Sequence, residues 1–107
     1  MIVRIWRVQI DQTRANEYRD FAHFRSLPMF HAQPGFVGVL FAAHRAERAV
    51  ITLWQDLASV EGLDHSQTFK TTVAEIEATG LLQGRSTVEV LELEGVFLED
   101  LPRSLPR

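Results

Sequence analysis

The predicted strands of this 107-residue chain are apolar on both faces, and this pattern restricts the fold more than any other feature of the sequence. In segment 49–55, AVITLWQ, Ile51 and Leu53 alternate with Val50 and Trp54. Successive side chains of a strand point to opposite faces of the sheet. A sheet built from such strands therefore exposes apolar surface unless both of its faces are covered.

The order of the predicted elements is strand, helix, strand, strand, helix, strand. The segments are a strand at Ile2–Ile10, a helix from Arg14, strands at 36–43 and 49–55 joined by a hairpin loop at 44–48, helical segments after Asp56 and Ser66, and a last strand at 87–97. This order predicts an α+β, ferredoxin-like split β-α-β fold with a four-stranded antiparallel sheet. Its helices can cover only one face, so the apolar second face predicts a homodimer.

Local signals set the expected ends of the helices. Thr13 is expected to cap the first helix, and Pro28 to end or kink it near residues 25–28, leaving 27–31 as a short turn. Asp56 and Ser66 are expected to cap the later helical segments, and Gly80 to terminate the second of them in a left-handed conformation.

The last predicted strand, 87–97, carries its own irregularity. Its inward parity slips between Val90 and Leu91, which predicts a bulge at that point. We expect residues 1–97 to form one domain and residues 98–107, with two prolines, to form an irregular tail.

Composition excludes several classes of function. The chain has no cysteine, so neither disulfides nor thiolate chemistry is available. Its net charge of −3 and scattered arginines argue against nucleic acid as a partner. We expect no membrane partner, because the sequence lacks an apolar run of about 20 residues. The N-terminus does not resemble a signal peptide, so a cytoplasmic location is expected.

Several short motifs together resemble one known superfamily. They are an N-terminal RIW strand, a helix ending SLPMF, then QPGF, a strand VITLW and the stretch SQTF. This pattern, over residues 2–97, resembles the antibiotic biosynthesis monooxygenase-like superfamily, the dimeric α+β barrels. The resemblance implies a homodimer of ferredoxin-like subunits, each with a cavity between sheet and helices.

The resemblance also implies a chemistry. Some members oxygenate phenols, anthrones or quinols without metal or flavin, so we expect a small aromatic ligand, no cofactor and no metal site. Trp54 matches a pocket tryptophan of those enzymes. Their pattern has an asparagine four residues earlier and a tyrosine six residues later, where this chain has Val50 and Val60. The alternative is therefore a non-catalytic protein that binds a small ligand.

Haem-degrading relatives provide a second comparison. They place an asparagine, a tryptophan and a haem-ligating histidine where this chain has Trp6, Leu63 and Val73. Without that histidine the iron has no evident axial ligand. Haem binding or degradation is the less favoured alternative.

Three residues are candidates for catalysis. His65 is the proposed base, because imidazole titrates near neutrality and helical projection places it over Phe69; alternatively it only flanks the helix start. Arg4 is the proposed anion stabiliser, unless it pairs with Glu89 or Glu92. Trp54 is the third, as a wall of the pocket or as part of the core.

Four aromatic residues are candidates for binding the substrate. Trp6 shares strand parity with Arg4, and the others lie on predicted inner helix faces or their edges, where core packing is the alternative role. The four candidates are Trp6, Phe21, Phe24 and Phe69.

Overall fold

The computed structural model describes residues 1–100, and these form a four-stranded antiparallel sheet with helices on one face. The elements are β1 (Ile2–Ile10), a 3-10 turn (Gln12–Arg14), α1 (Ala15–Phe21), a π-helical segment (Ala22–Ser26), α2 (Leu27–His31), β2 (Phe36–His44), β3 (Glu47–Trp54), α3 (Leu57–Glu61), a 3-10 turn (Gly62–His65), α4 (Gln67–Ala78) and β4 (Leu82–Glu92). The strand order is β2-β3-β1-β4. This confirms the predicted ferredoxin-like α+β fold.

The register of the sheet decides which side chains face the helices. On the central strand, Trp6 lies opposite Val50 of β3 and Val88 of β4. Arg4, two residues earlier, lies opposite Thr52. Directly opposite residues share a face, so these five side chains form part of one surface under the helices.

The first helical region differs from the sequence prediction at both ends. The carboxylate of Asp11, not Thr13, caps it, accepting hydrogen bonds from the Thr13 N–H at 3.1 Å and the Thr13 hydroxyl at 2.6 Å. Pro28 does not end the helix, which continues to His31. A π-helical segment directly precedes Leu27, and such a segment accommodates a proline that can neither donate a hydrogen bond nor tolerate a regular α-turn before it.

The other predicted helix ends are confirmed. The Asp56 carboxylate accepts from the Ser59 N–H at 2.8 Å, and the Ser66 hydroxyl accepts from the Phe69 N–H at 3.2 Å. Gly80 has φ +74°, the left-handed conformation that ends a helix without strain at glycine.

The last strand begins and ends five residues before the predicted one, at Leu82 and Glu92. Its irregularity is also elsewhere: the register shifts between Arg7 and Gln9 of β1, where residues 84–86 of β4 lie opposite the single residue Val8. Within this bulge Gly84 has φ +74°. The predicted bulge between Val90 and Leu91 is therefore wrong, because both residues pair regularly with β1.

The hairpin between β2 and β3 is tighter than predicted. His44 pairs with Glu47, so the turn consists of Arg45 and Ala46 alone, with Arg45 at φ +54°. The polar residues at both strand ends belong to the sheet, although their composition resembles that of a loop.

The core lies between the sheet and the helices and divides into two clusters. The first contains Val8, Ile10, Tyr18, Ala22, Ile76 and Leu81, and the second contains Met29, Phe30, Val50, Trp54, Val60 and Leu63. Trp6 and Phe41 contact both clusters and join them.

The second face of the sheet carries apolar side chains that no helix covers. Ile5, Ile51 and Leu53 are only partly buried there, and Leu40 and Leu91 are 51% and 47% exposed. We call these five residues the open face.

No helix in the described part of the chain is long and apolar enough to cross a membrane. Residues 93–100 form no helix or strand, and the rest of the predicted tail, 101–107, lies outside the described residues.

Candidate functional site

A cavity of about 700 Å³ lies between the helices and the sheet, beside the two core clusters. Its lining includes Arg4, Trp6, Val8 and Val50 from the sheet, Tyr18, Phe21, Ala22, Met29 and Phe30 from the first helical region, Phe69, Thr72, Val73 and Ile76 from α4, and Leu82, Arg85 and Val88 from β4. The lining is largely apolar, with a few polar groups, which is typical of small-molecule sites.

The cavity is open along β4. The helices cover the middle of the sheet but leave this edge strand uncovered, so that Val88 and Val90 are 51% and 42% exposed although they lie on the helix side. The bulge at Gly84 and Arg85 forms part of the same rim. The cavity is therefore accessible from the β4 side, and Trp6 is one of its walls.

Two basic residues of the described part of the chain line the cavity: Arg4 on the central strand β1 and Arg85 on the edge strand β4. The guanidinium carbon of Arg4 lies 5.5 Å from the centre of the Phe69 ring, a distance at which cation and ring attract. Burial lowers the pKa of Arg4, and the nearby carboxylate of Asp64 opposes this shift. A partly buried cation on an aromatic ring is suited to bind an anionic group of a ligand.

The alternative ion pair of Arg4 is not found among residues 1–100. Glu89 pairs instead with Arg7, at 3.2 Å between Nη1 and Oε1, on the opposite face of the sheet. No carboxylate in the described part of the chain lies within 4.0 Å of the Arg4 guanidinium. The cation is therefore available to a ligand.

Solved structures of similar fold place this cavity in a wider context. No family model and no curated protein sequence matches the chain. A protein of unknown function from Nitrosomonas europaea is 19% identical, with a TM-score of 0.74 over 92% of this chain and 94% of the other. SnoaB, a cofactor-independent oxygenase from Streptomyces nogalater, is 20% identical, with a TM-score of 0.72 over 92% and 97%.

A third structure contains a ligand. The monooxygenase from the gene ActVA-Orf6 of Streptomyces coelicolor, in complex with nanaomycin D, is 13% identical, with a TM-score of 0.73 over 92% of each chain. Each of these three matches covers nearly the whole length of this chain and of the other protein. The chain has the fold of the antibiotic biosynthesis monooxygenases. The resemblance inferred from the sequence is thus confirmed at the level of the fold.

Trp54, the position that resembles a pocket tryptophan of the antibiotic biosynthesis monooxygenases, does not line the cavity. It is fully buried in the second core cluster, where its Nε1–H donates to the Thr52 hydroxyl at 2.8 Å. Phe30 and Phe36 approach its ring edge-on, with centroids 6.4 and 5.6 Å away. The structure thus places Trp54 in the core, the other role considered, and not among the residues that line the cavity.

His65 is also not in the cavity. It lies exposed in the 3-10 turn before α4, and Ser66 then adopts an extended conformation, φ −88° and ψ 117°. This extended residue interrupts the helix, so projecting α4 backward from Phe69 misplaces the imidazole. The structure therefore does not place His65 among the cavity walls, and no histidine among residues 1–100 lines the cavity.

Three of the four aromatic candidates for substrate binding line the cavity. They are Trp6 on β1, Phe21 on α1 and Phe69 on α4. Phe24 is 73% exposed and lies outside the cavity, within the π-helical segment whose wider turn changes the direction of its side chains. Its predicted contact with a ligand is not supported by this position.

Tyr18 is a cavity residue that the sequence analysis did not single out. Burial raises its pKa to about 12, and the nearby guanidinium of Arg48 opposes this shift. The spacing of Tyr18, Phe21 and Ala22 identifies an inner helix face, but spacing alone does not separate core positions from cavity walls.

A haem or metal ligand is not evident in this site. Val73, at the position of the haem-ligating histidine of the haem-degrading relatives, is a cavity wall. Among residues 1–100 no three histidine, aspartate or glutamate side chains converge as metal ligands.

Proposed function

We propose that this protein is a cofactor-independent monooxygenase acting on a small aromatic substrate, of the phenol, anthrone or quinol type. The observation that carries the proposal is an Arg4 cation with no carboxylate partner among residues 1–100, at a cavity whose other walls include Trp6 and Phe69. The fold shared with a cofactor-independent oxygenase supports it.

The proposed reaction begins with loss of a proton from the substrate. A cation next to a phenol or enol lowers the pKa of that group, so Arg4 favours the substrate anion. The proton leaves to solvent at the open β4 side, and no histidine is needed as base. This replaces the role that the sequence suggested for His65.

The electron-rich anion then reduces oxygen. In an anthrone, one oxygen atom becomes the new carbonyl and the other leaves as water, while the methylene group loses both of its hydrogens. The substrate thus supplies all four electrons that reduce O2, and no external reductant is needed. Arg4 stabilises the negative oxygen during this step, and the apolar walls limit access of water.

Oxygen consumption tests this proposal. Anthrone and a panel of quinols would be added to flavin-free protein in the presence of a chelator, and uptake compared between wild type, Arg4→Met and Arg19→Met. Arg19 is an exposed residue of α1 that does not line the cavity, so its variant changes the net charge equally. We expect loss of about 10²-fold in rate for Arg4→Met only, since one lost donor to an oxyanion costs about that much. Equal rates in all three proteins would refute the role of Arg4, and absence of uptake would refute the monooxygenase.

A non-catalytic ligand-binding protein is the second candidate. The observation that favours it is Val50, an apolar cavity wall at the position where the oxygenating relatives have an asparagine. This candidate predicts that quinols raise the melting temperature without oxygen consumption.

Haem handling is the third candidate. It predicts that a Soret band forms when haem is added to the protein, and absence of that band would dismiss the candidate.

We also propose that the protein is a homodimer. The open face places apolar side chains next to one another on all four strands, and a contiguous apolar patch on a sheet marks an interaction surface. Two copies related by a two-fold axis can cover each other's open face. Light scattering at micromolar concentration tests this; a dimer is expected for wild type and a monomer for Leu40→Glu. A wild-type monomer would contradict the proposal.

A further inference from the structure

Tyr18, the single tyrosine of the chain, presents an unused hydrogen-bonding group to the cavity. The residue is only 6% exposed, yet its hydroxyl makes no hydrogen bond to another side chain or to the backbone of residues 1–100. No fully buried polar side-chain atom in this part of the chain lacks a partner. The hydroxyl must therefore reach accessible space, and the cavity is the space that Tyr18 lines.

Arg48 holds the ring of Tyr18 in place. Its Nη1 donates to the backbone carbonyls of Arg45 at 2.7 Å and Glu47 at 2.9 Å, both in the tight β2–β3 hairpin. Its guanidinium carbon lies 5.8 Å from the centre of the Tyr18 ring. The hairpin thus fixes the cation, and the cation lies against the ring, so the phenol is positioned before any ligand arrives.

The phenol can act as a donor but not as a base near neutral pH. Its burial holds the pKa at about 12, so the O–H remains protonated at every physiological pH. A neutral O–H in an apolar wall pairs well with a carbonyl or hydroxyl oxygen of a ligand.

Tyr18 and Arg4 lie at different levels of the cavity. Arg48, whose guanidinium lies over Tyr18, pairs with Val8 of β1. Val8 is four residues from Arg4 on the same face, a separation of about 13 Å at about 3.3 Å per residue. Trp6 lies midway between these levels. The cavity thus has a cationic donor at one end, an indole in the middle and a neutral donor at the other end.

We propose that Tyr18 is a specificity-determining residue, whose O–H donates a hydrogen bond to a neutral oxygen of the ligand. The ligand class that fits is a flat aromatic with two oxygen substituents at opposite ends, an ionised one facing Arg4 and a neutral one facing Tyr18. Arg48 is a positioning residue that acts through Tyr18. This inference rests on the proposed function in one respect, that the cavity binds an aromatic compound.

Calorimetric titration with two matched probes tests the inference. The probes are 2-naphthoate and 6-hydroxy-2-naphthoate, which share the ring system and the carboxylate and differ by one neutral hydroxyl. We expect the hydroxylated probe to bind wild type about fivefold more tightly, the effect of one hydrogen bond between neutral groups. In Tyr18→Phe this preference should disappear while the affinity for 2-naphthoate is unchanged. A preference that survives in Tyr18→Phe, or is absent in wild type, overturns the inference.

Arg48→Met provides the second variant, since it leaves the phenol in place. The preference for the hydroxylated probe should fall while 2-naphthoate binds as before, a change in selectivity that mere loss of stability does not produce. An unchanged preference would remove the positioning role of Arg48. All titrations are run without oxygen, so a protein that binds as expected but consumes no oxygen contradicts only the monooxygenase proposal.

Discussion

Replacing Thr52 with valine should destabilise the protein by leaving a buried indole without a hydrogen-bond acceptor. Thr52 and Trp54 are both fully buried, and the Trp54 Nε1–H donates to the Thr52 hydroxyl at 2.8 Å. That hydroxyl in turn lies 3.3 Å from the backbone carbonyl of Arg4. Valine has nearly the same shape as threonine, so the substitution removes the acceptor without opening a cavity.

The expected magnitude follows from the burial. An unsatisfied buried donor costs about 1–3 kcal/mol, and with no solvent access at either residue we expect about 2 kcal/mol. For a domain of this length that corresponds to a fall in melting temperature of roughly 8 °C, at about 4 °C per kcal/mol. Thr52→Ser, which keeps the hydroxyl and loses one methyl group, should cost only about 1 kcal/mol.

A double-mutant cycle separates the hydrogen bond from other effects. Urea denaturation followed by circular dichroism would be compared for wild type, Thr52→Val, Trp54→Phe and the double variant, all at one protein concentration, because dimerisation makes stability depend on concentration. In the Trp54→Phe background Thr52→Val should be nearly neutral, since no donor is left unpaired. If Thr52→Val costs less than about 0.5 kcal/mol in wild type, or the same in both backgrounds, the reasoning is refuted.

Three further predictions concern the backbone, the tyrosine and the cavity cation. Gly35→Ala should lower the free energy of unfolding by about 1–3 kcal/mol or more, because Gly35 has φ +80° and an added Cβ would lie 1.9 Å from the Ser59 hydroxyl oxygen. Gly62 has a helical φ and open space around it, so the control variant Gly62→Ala should be neutral or stabilising. Urea denaturation measures both. Tyr18 should titrate near pH 12 when followed by absorbance. Because its pKa is raised in the folded state, the free energy of unfolding should fall as the pH rises from about 10 through 12. Titration near pH 10 would contradict the burial of the Tyr18 hydroxyl. Arg4→Met should change the free energy of unfolding by less than about 1 kcal/mol, because relief of its burial offsets the lost attraction to the Phe69 ring; a loss above about 2 kcal/mol would indicate a structural role instead.

The sequence allows the fold to be predicted because local chemistry and strand periodicity agree. Asp56, Ser66 and Gly80 set helix ends through hydrogen bonds and dihedral angles within a few residues, and the structure confirms each. The limits of β4 could not be predicted, because this edge strand is exposed and its residues at 83–87 have the composition of a loop. Only pairing with β1, a long-range contact, makes them a strand.

Site residues could be predicted from the sequence where the alternation of side chains along a strand determines which of them face the helices. Arg4 and Trp6 follow from alternation on β1, and both line the cavity. Trp54 has the same parity as Trp6, but its position at the end of β3 places it under α3 and the aromatic cluster rather than in the cavity. His65 was misplaced because one extended residue, Ser66, interrupts the helix from which its direction was inferred.

If the cavity binds a small aromatic compound as proposed, that ligand lies against Trp6 and not against Trp54, which does not line the cavity. The chain has two tryptophans, so a ¹⁵N-labelled sample gives two indole N–H signals, which Trp54→Phe assigns. On titration with 6-hydroxy-2-naphthoate, we expect the Trp6 signal to shift progressively. The Trp54 signal, whose N–H is bonded to Thr52 in the core, should stay in place. A shift of the Trp54 signal alone, or of neither signal, would contradict the account.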